Sequence, residues 1–122
     1  RGGSMSKAMY ALGRLKTGQL NKTEAAYDKH LALMQHAGEI KWRKFEGLKL
    51  RLADNTFYTP DFAVMLANGQ IEMHEVKGAR GIFTDDAKVK VKVAAEMYPF
   101  LFVVAFPIPK NKGGGWEFDR YE

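Results

Sequence analysis

The chain has 122 residues, no cysteine, 46% hydrophobic and 27% charged residues, and 19 Lys+Arg against 14 Asp+Glu, a formal net charge of +5. That length suits one domain with a real core and is too short for two, and the missing cysteines exclude disulfides and thiolate metal sites, leaving carboxylate and imidazole ligands. No apolar run approaches the roughly 20 residues of a membrane helix and no signal-peptide pattern precedes the fold, so a soluble cytoplasmic protein is expected, with no membrane partner. The basic excess is compatible with a polyanionic partner without requiring one.

Arg1-Gly2-Gly3-Ser4 before Met5 reads as an expression scar. Residues 5–20 mix Gly13, Thr17 and Gly18 with Lys7, Arg14 and Lys16 and carry no periodicity. They predict a flexible basic arm, either laid along a phosphate backbone or a plain disordered terminus. Residues 21–122 then form a single domain. From Lys22 the pattern is helical: Asn21 can cap, Glu24 holds the capping-box position, and Ala37-Gly38 closes the segment. Glu24 leads a stripe of Tyr27, Leu31 and Met34, so it either returns a hydrogen bond to the Asn21 backbone or projects toward another part of the fold. Glu39–Arg43 reads as a linker, with Trp42 placed to pack under the helix, and Lys44–Leu52 alternates like a strand before a turn at Asp54-Asn55.

Tyr58–Leu66 is β-rich and apolar, Asn68-Gly69 suits a two-residue hairpin turn, and Gln70–Lys77 alternates until Gly78. Alternation puts Glu75 and Lys77 on one face and His74 and Val76 on the other, and an antiparallel partner brings Asp61 beside Glu75. Two carboxylates and an ammonium then share one small site. Like charges a few ångströms apart repel, so hard oxygen ligands arranged this way suit Mg²⁺ or Mn²⁺. The bland alternative is a salt-bridged hairpin pairing Asp61 with Lys77 and Glu75 with Arg80, worth about 0 to 1 kcal/mol per surface pair. His74, on the opposite face, is expected to be packed or hydrogen-bonded rather than a ligand.

Thr84 can cap a second helix reaching Tyr98, with Asp85 and Asp86 in its first turn and Ala87, Val91, Ala94, Ala95 and Tyr98 as its buried stripe. Lys88 and Lys92 sit on an adjacent face and Lys90 on the far flank, either a basic face toward phosphate or a solvated one. Phe100–Phe106 is a nearly continuous apolar run, the mark of a strand buried on both faces, and a helix between it and the Glu75 strand makes parallel pairing with a right-handed crossover natural. Lys110–Gly115 reads as a mobile loop, and Trp116-Glu117-Phe118 as a short edge strand. The fold class is α/β, an α-β-β-β-α-β order with a mixed sheet flanked by helices.

Pro60-Asp61 followed by Glu75-Val76-Lys77 resembles the P-D…(D/E)-x-K signature of the PD-(D/E)xK nuclease superfamily. Asn21-Lys22-Thr23-Glu24, Tyr58–Phe62, His74–Gly78 and Lys88–Tyr98 extend the resemblance to a small phage-associated family within it, over roughly residues 20–118. The resemblance implies a restriction-endonuclease-like core. It implies a metal-dependent phosphodiesterase acting on branched or duplex DNA, an endonuclease of junction-resolvase or nicking type, with no nucleotide cofactor. Asp61, Glu75 and the main-chain carbonyl of Val76 would hold Mg²⁺ or Mn²⁺, Glu24 would bind a second ion or orient water, and Lys77 would position or deprotonate the nucleophile. Arg14, Lys16, Arg80, Lys88 and Lys92 are the candidate phosphate contacts. The alternative is a non-catalytic DNA-binding accessory module on the same fold. Cutting two strands symmetrically calls for a homodimer, with Trp42, Phe83, Trp116 and Phe118 as interface material unless they are core.

Overall fold

The computed structural model describes residues 18–122, and the expected scar and most of the basic arm, including Arg14 and Lys16, lie outside the described residues. Among the described residues the fold is mixed α/β: a five-stranded mixed sheet, a small two-stranded sheet and two helices. Among the described residues no helix is long and apolar enough to cross a membrane.

Helix α1, Lys22–His36, starts where the sequence predicts, because the capping box forms in full: Asn21 Oδ1 accepts from the Glu24 N–H at 2.8 Å and Glu24 Oε1 accepts from the Asn21 N–H at 2.9 Å. The next strands are β1 (Ile40–Phe45), β2 (Leu50–Ala53), β3 (Thr56–Tyr58), β4 (Phe62–Leu66) and β5 (Ile71–Val76). Helix α2 (Asp85–Met97), capped by Thr84, then leads to β6 (Leu101–Pro107) and β7 (Trp116–Tyr121). The main sheet runs β1-β4-β5-β6-β7, antiparallel except for the β5–β6 pair, which α2 connects as the crossover helix. The residues of β6 from Phe102 to Phe106 are buried, as their unbroken apolar run requires. The predicted edge strand at Trp116 extends to Tyr121, and Lys110–Lys112 is a short 3₁₀ turn.

Four expectations are corrected. Glu39–Arg43 is no linker, because Ile40–Phe45 forms strand β1. The alternation over Lys44–Leu52 is cut at Glu46-Gly47. Glu46 takes a φ of +48°, and a Cβ on Gly47 would stand 2.8 Å from the Lys44 Cβ, so the chain turns there and β2 leaves the main sheet to pair with β3. Tyr58–Leu66 is two strands, since Pro60 lacks the N–H that a continuous ladder needs. The Asn68-Gly69 turn is a three-residue loop: the Gly69 N–H donates to the Leu66 carbonyl at 2.9 Å, and only Gly69, at φ +91°, is left-handed, the bulged form of hairpin connection.

The sheet has a core on each face. Tyr27, Leu31, Ile40, Phe62, Val64, Val76 and Ala105 pack under α1. Ala63, Met73, Phe83, Val91, Ala94, Phe102, Val104 and Phe106 pack with α2 and with Leu50 and Tyr58 of the ribbon. Trp116, not Trp42, joins the α1 layer, with its ring edge-on to Tyr27 at 4.9 Å, while Trp42 belongs to neither core and is 39% exposed. Phe83 is core as well, which leaves Trp42 and Phe118 as exposed aromatics from the expected interface set.

Candidate active site

The register places the site. In the β4–β5 ladder Phe62 opposes His74, so Asp61, one residue before β4, comes level with Glu75 at the end of β5. Odd and even residues separate as alternation requires. Glu75 follows Met73 onto the α2 face, whereas His74 points to α1, where its ring nitrogens meet Tyr27 and Glu72. The geometry thus keeps His74 on the face opposite Glu75.

Asp61 Oδ2 accepts from the Val76 N–H at 2.7 Å. Within a strand the N–H and C=O of one residue point to the same side. The next N–H, that of Lys77, donates to Ala105 of β6 at 3.0 Å, so the Val76 carbonyl points away from β6, toward Asp61. Tyr58 Oη donates to Glu75 Oε1 at 2.9 Å, and Lys77 Nζ stands 3.4 Å from Glu75 Oε2. Burial, then repulsion from Glu75, pushes the Asp61 carboxyl up to about 9, and the nearby Glu24 carboxyl adds to the rise. Burial likewise raises Glu75, against the opposing pull of Lys77. Tyr58, raised by burial and by the Glu75 charge, remains a proton donor.

Glu24 therefore serves both of its alternatives, closing the capping box through Oε1 and lying beside Asp61. The helix N-terminus comes close to the strand end here: a Cβ on Gly78 would lie 3.5 Å from Thr23 Oγ1.

A cleft of about 390 Å³ opens over this face, lined by Phe57, Tyr58, Thr59, Glu75, Lys77, Asp86, Ala87, Lys90 and Val91. Lys90, expected on the far flank, is the α2 lysine in its wall. Lys88 and Lys90 lie on opposite flanks of the stripe of buried Val91 and Ala94 and partly buried Ala87, and periodicity cannot say which flank faces the site; the direction in which α2 crosses the sheet decides it. Lys88 instead approaches the Phe83 ring at 5.7 Å, and Lys92 is exposed. Arg80 does not pair with Glu75. Its guanidinium donates to both carboxylate oxygens of Asp119 at 2.8 and 3.0 Å and to Glu117 at 3.3 Å, over the Phe106 ring, so β7 already holds it. Sequence reading missed Tyr58 as a Glu75 partner and Lys90 as a cleft lysine. Tyr58 had a readable signal, a β-strand phenol just before Pro60-Asp61.

Among the described residues no group of three or more His, Asp and Glu side chains is arranged to hold a metal ion. The donor set on offer is two carboxylates, with Glu24 beside one of them, and a main-chain carbonyl. Those are hard oxygen donors, and two carboxyls raised by burial, Asp61 also by repulsion from Glu75, are a demand for positive charge that a divalent cation meets. The residues fit such an ion. Compared with protein-family models, with curated proteins and with solved structures, the chain finds no match.

Proposed function

We propose that the chain is a Mg²⁺- or Mn²⁺-dependent endonuclease that hydrolyses DNA phosphodiesters on a PD-(D/E)xK-like, restriction-endonuclease-like core, of junction-resolvase or nicking type. The observation that carries this reading is the convergence of Asp61, Glu75 and Lys77 at one end of the sheet, with both carboxyls raised and a cleft open over Glu75 and Lys77. A salt-bridged hairpin fits less well, because Arg80 is bound elsewhere and the Asp61 carboxylate meets a main-chain N–H rather than a cation.

Asp61, Glu75 and the Val76 carbonyl would hold the ion, which when bound supplies positive charge against the phosphoryl oxygens and favours ionisation of an attacking water. Around it the chain's own groups hold positions. The Val76 N–H fixes the Asp61 carboxylate, Tyr58 Oη fixes Glu75 Oε1, and Lys77 carries a charge or a proton at Nζ for the nucleophile and the phosphate. Lys90 binds a phosphate along the cleft. Incubating the protein with labelled linear, nicked, flapped and four-way-junction DNA, with Mg²⁺, Mn²⁺ or EDTA, tests the reading. Cleavage by wild type with metal and none by Glu75→Ala is the expected result. Tight DNA binding with no metal-dependent cut on any structure would instead make the chain an accessory binding module.

Two further outcomes separate the roles around the site. Glu24→Gln keeps a capping-box side chain, so the melting temperature should move little, within the equivalent of about 0.5 kcal/mol, while Mn²⁺ titration and turnover both weaken because the charge beside Asp61 is gone. Equal turnover would reduce Glu24 to a cap. Lys90→Ala should weaken DNA binding and lower the log–log salt slope by about 0.9, one phosphate contact. Lys88→Ala and Lys92→Ala should each do less, and a larger loss from Lys92→Ala would move the DNA path off the cleft wall.

A further inference from the structure

The β2–β3 ribbon has two unlike faces. Opposed residues of an antiparallel pair share a face, so the pairs Leu50–Tyr58 and Arg51–Phe57 divide it. Leu50 and Tyr58 enter the core with α2, while Arg51 and Phe57 face outward. Phe57 is 43% exposed, Lys49 Nζ lies 4.6 Å from the centre of its ring, and the same ring lines the cleft that holds Glu75, Lys77 and Lys90. The ribbon is tied down at both strands. Tyr98 Oη donates to the Arg51 carbonyl at 2.6 Å, and Tyr58, next to Phe57, is hydrogen-bonded to Glu75.

A single exposed aromatic is ordinary. A ring at the rim of a carboxylate–lysine cleft, with the Lys49 ammonium over it and Lys77 and Lys90 lining the same cleft, combines the two things an unpaired nucleotide binds: a π-face for the base and positive charge for the phosphate. We propose that Phe57 is a stacking platform that seats an unpaired nucleobase at the mouth of the cleft lined by Glu75 and Lys77, so that the strand presented for cutting is single-stranded, flapped, frayed or opened at a junction. The cation over an exposed ring is held more weakly than a stacked base. A base therefore displaces Lys49 and leaves its ammonium within reach of the backbone. A paired base inside a blunt duplex has no free face to offer. The proposal rests on the nuclease reading for the meaning of the cleft, and not on hydrolysis itself.

The test is binding without metal. Fluorescence polarisation in EDTA would compare labelled oligothymidylate, oligouridylate and a blunt duplex. Wild type should bind single strands more tightly than duplex, and Phe57→Ala should weaken single-strand binding about 5- to 150-fold without changing the salt slope. Phe57→Trp should retain affinity. Phe57→Leu keeps apolar area without a π-face and should behave like Ala while melting like wild type, which separates stacking from support of the ribbon. Lys49→Ala should lower the single-strand salt slope by about 0.7. A preference for thymidylate assigns the platform to DNA, and equal binding of both oligomers assigns it to single strands of either sugar. Duplex bound as tightly as single strands, or wild-type affinity in Phe57→Leu, would overturn the proposal. Loss of Mg²⁺-dependent cleavage on every substrate, with the Phe57 dependence intact, sinks the nuclease reading and leaves this one standing. Cleavage with Phe57-independent binding does the reverse.

Discussion

Asp61→Asn is expected to abolish metal-dependent cleavage and, at neutral pH and above, to raise the melting temperature of the metal-free protein. The two effects have one cause. Asp61 has its folded pKa pushed up to about 9 from 3.8, first by burial and then by Glu75. Between those values the folded chain holds a proton that the unfolded chain releases, so the contribution to stability is whole below the unfolded value and is lost as pH rises through the folded one. Metal-free stability should fall across that window, by at most about 1.4 kcal/mol per pH unit for this group. Asparagine stays neutral, still accepts from the Val76 N–H, and flattens the fall; the slope that remains belongs to Glu75, which burial raises in the same direction. Divalent ion binding runs the opposite way. The ion displaces the proton, so Mn²⁺ affinity should increase with pH, by up to about tenfold per unit, and level off near 9. Thermal melts from pH 5 to 10, with EDTA or with Mn²⁺, read all of this. A wild-type melting curve as flat with pH as that of Asp61→Asn would mean that Asp61 is not held protonated and that the electrostatic case for a cation is wrong.

How much of this was legible in the sequence depends on the range of the interaction involved. Asp61, Glu75 and Lys77 could be brought together from the chain alone, because a two-residue alternation and a hairpin are local rules; a two-residue loop at Asn68-Gly69 would set Phe62 opposite Glu75, and the extra loop residue moves the register by one, to Phe62 opposite His74, which still leaves Asp61 beside Glu75. The capping box at Asn21 and the crossover through α2 are local in the same sense. The β2–β3 ribbon was hidden because Phe45, Leu48, Leu50 and Leu52 keep a strand-like pattern through Glu46-Gly47, where a backbone turn alone makes the break. Arg80 looked free because its partners, Glu117 and Asp119, lie far along the chain on β7. Lys90 could not be chosen over Lys88, since both flank one stripe and only the packing of α2 on the sheet selects between them. Charge on a helix flank is thus readable as charge, but its target is a tertiary property.

The second large effect is expected at Lys77. Lys77→Ala should lower the single-turnover rate by on the order of 10² or more, with the fold and DNA affinity nearly kept, because the side chain is only partly buried and its one ion pair, to Glu75 at 3.4 Å, is short of ideal geometry. The position gives the ammonium two possible tasks. It can neutralise charge that develops on the phosphate, or, losing a proton, act as base toward the attacking water. Chemical rescue separates the tasks. If free alkylamines restore cleavage in Lys77→Ala with rates that climb with amine basicity, Lys77 moves a proton; if amines of different pKa restore it equally, the charge alone is what the reaction uses. Lys77→Arg supplies a second reading, because guanidinium keeps the charge and does not give up its proton. Substantial activity in Lys77→Arg would accord with the charge role, and inactivity together with basicity-dependent rescue would accord with the base. A Lys77→Ala enzyme cutting at the wild-type rate would remove Lys77 from the site altogether and, with it, the third member of the motif on which the nuclease reading is built.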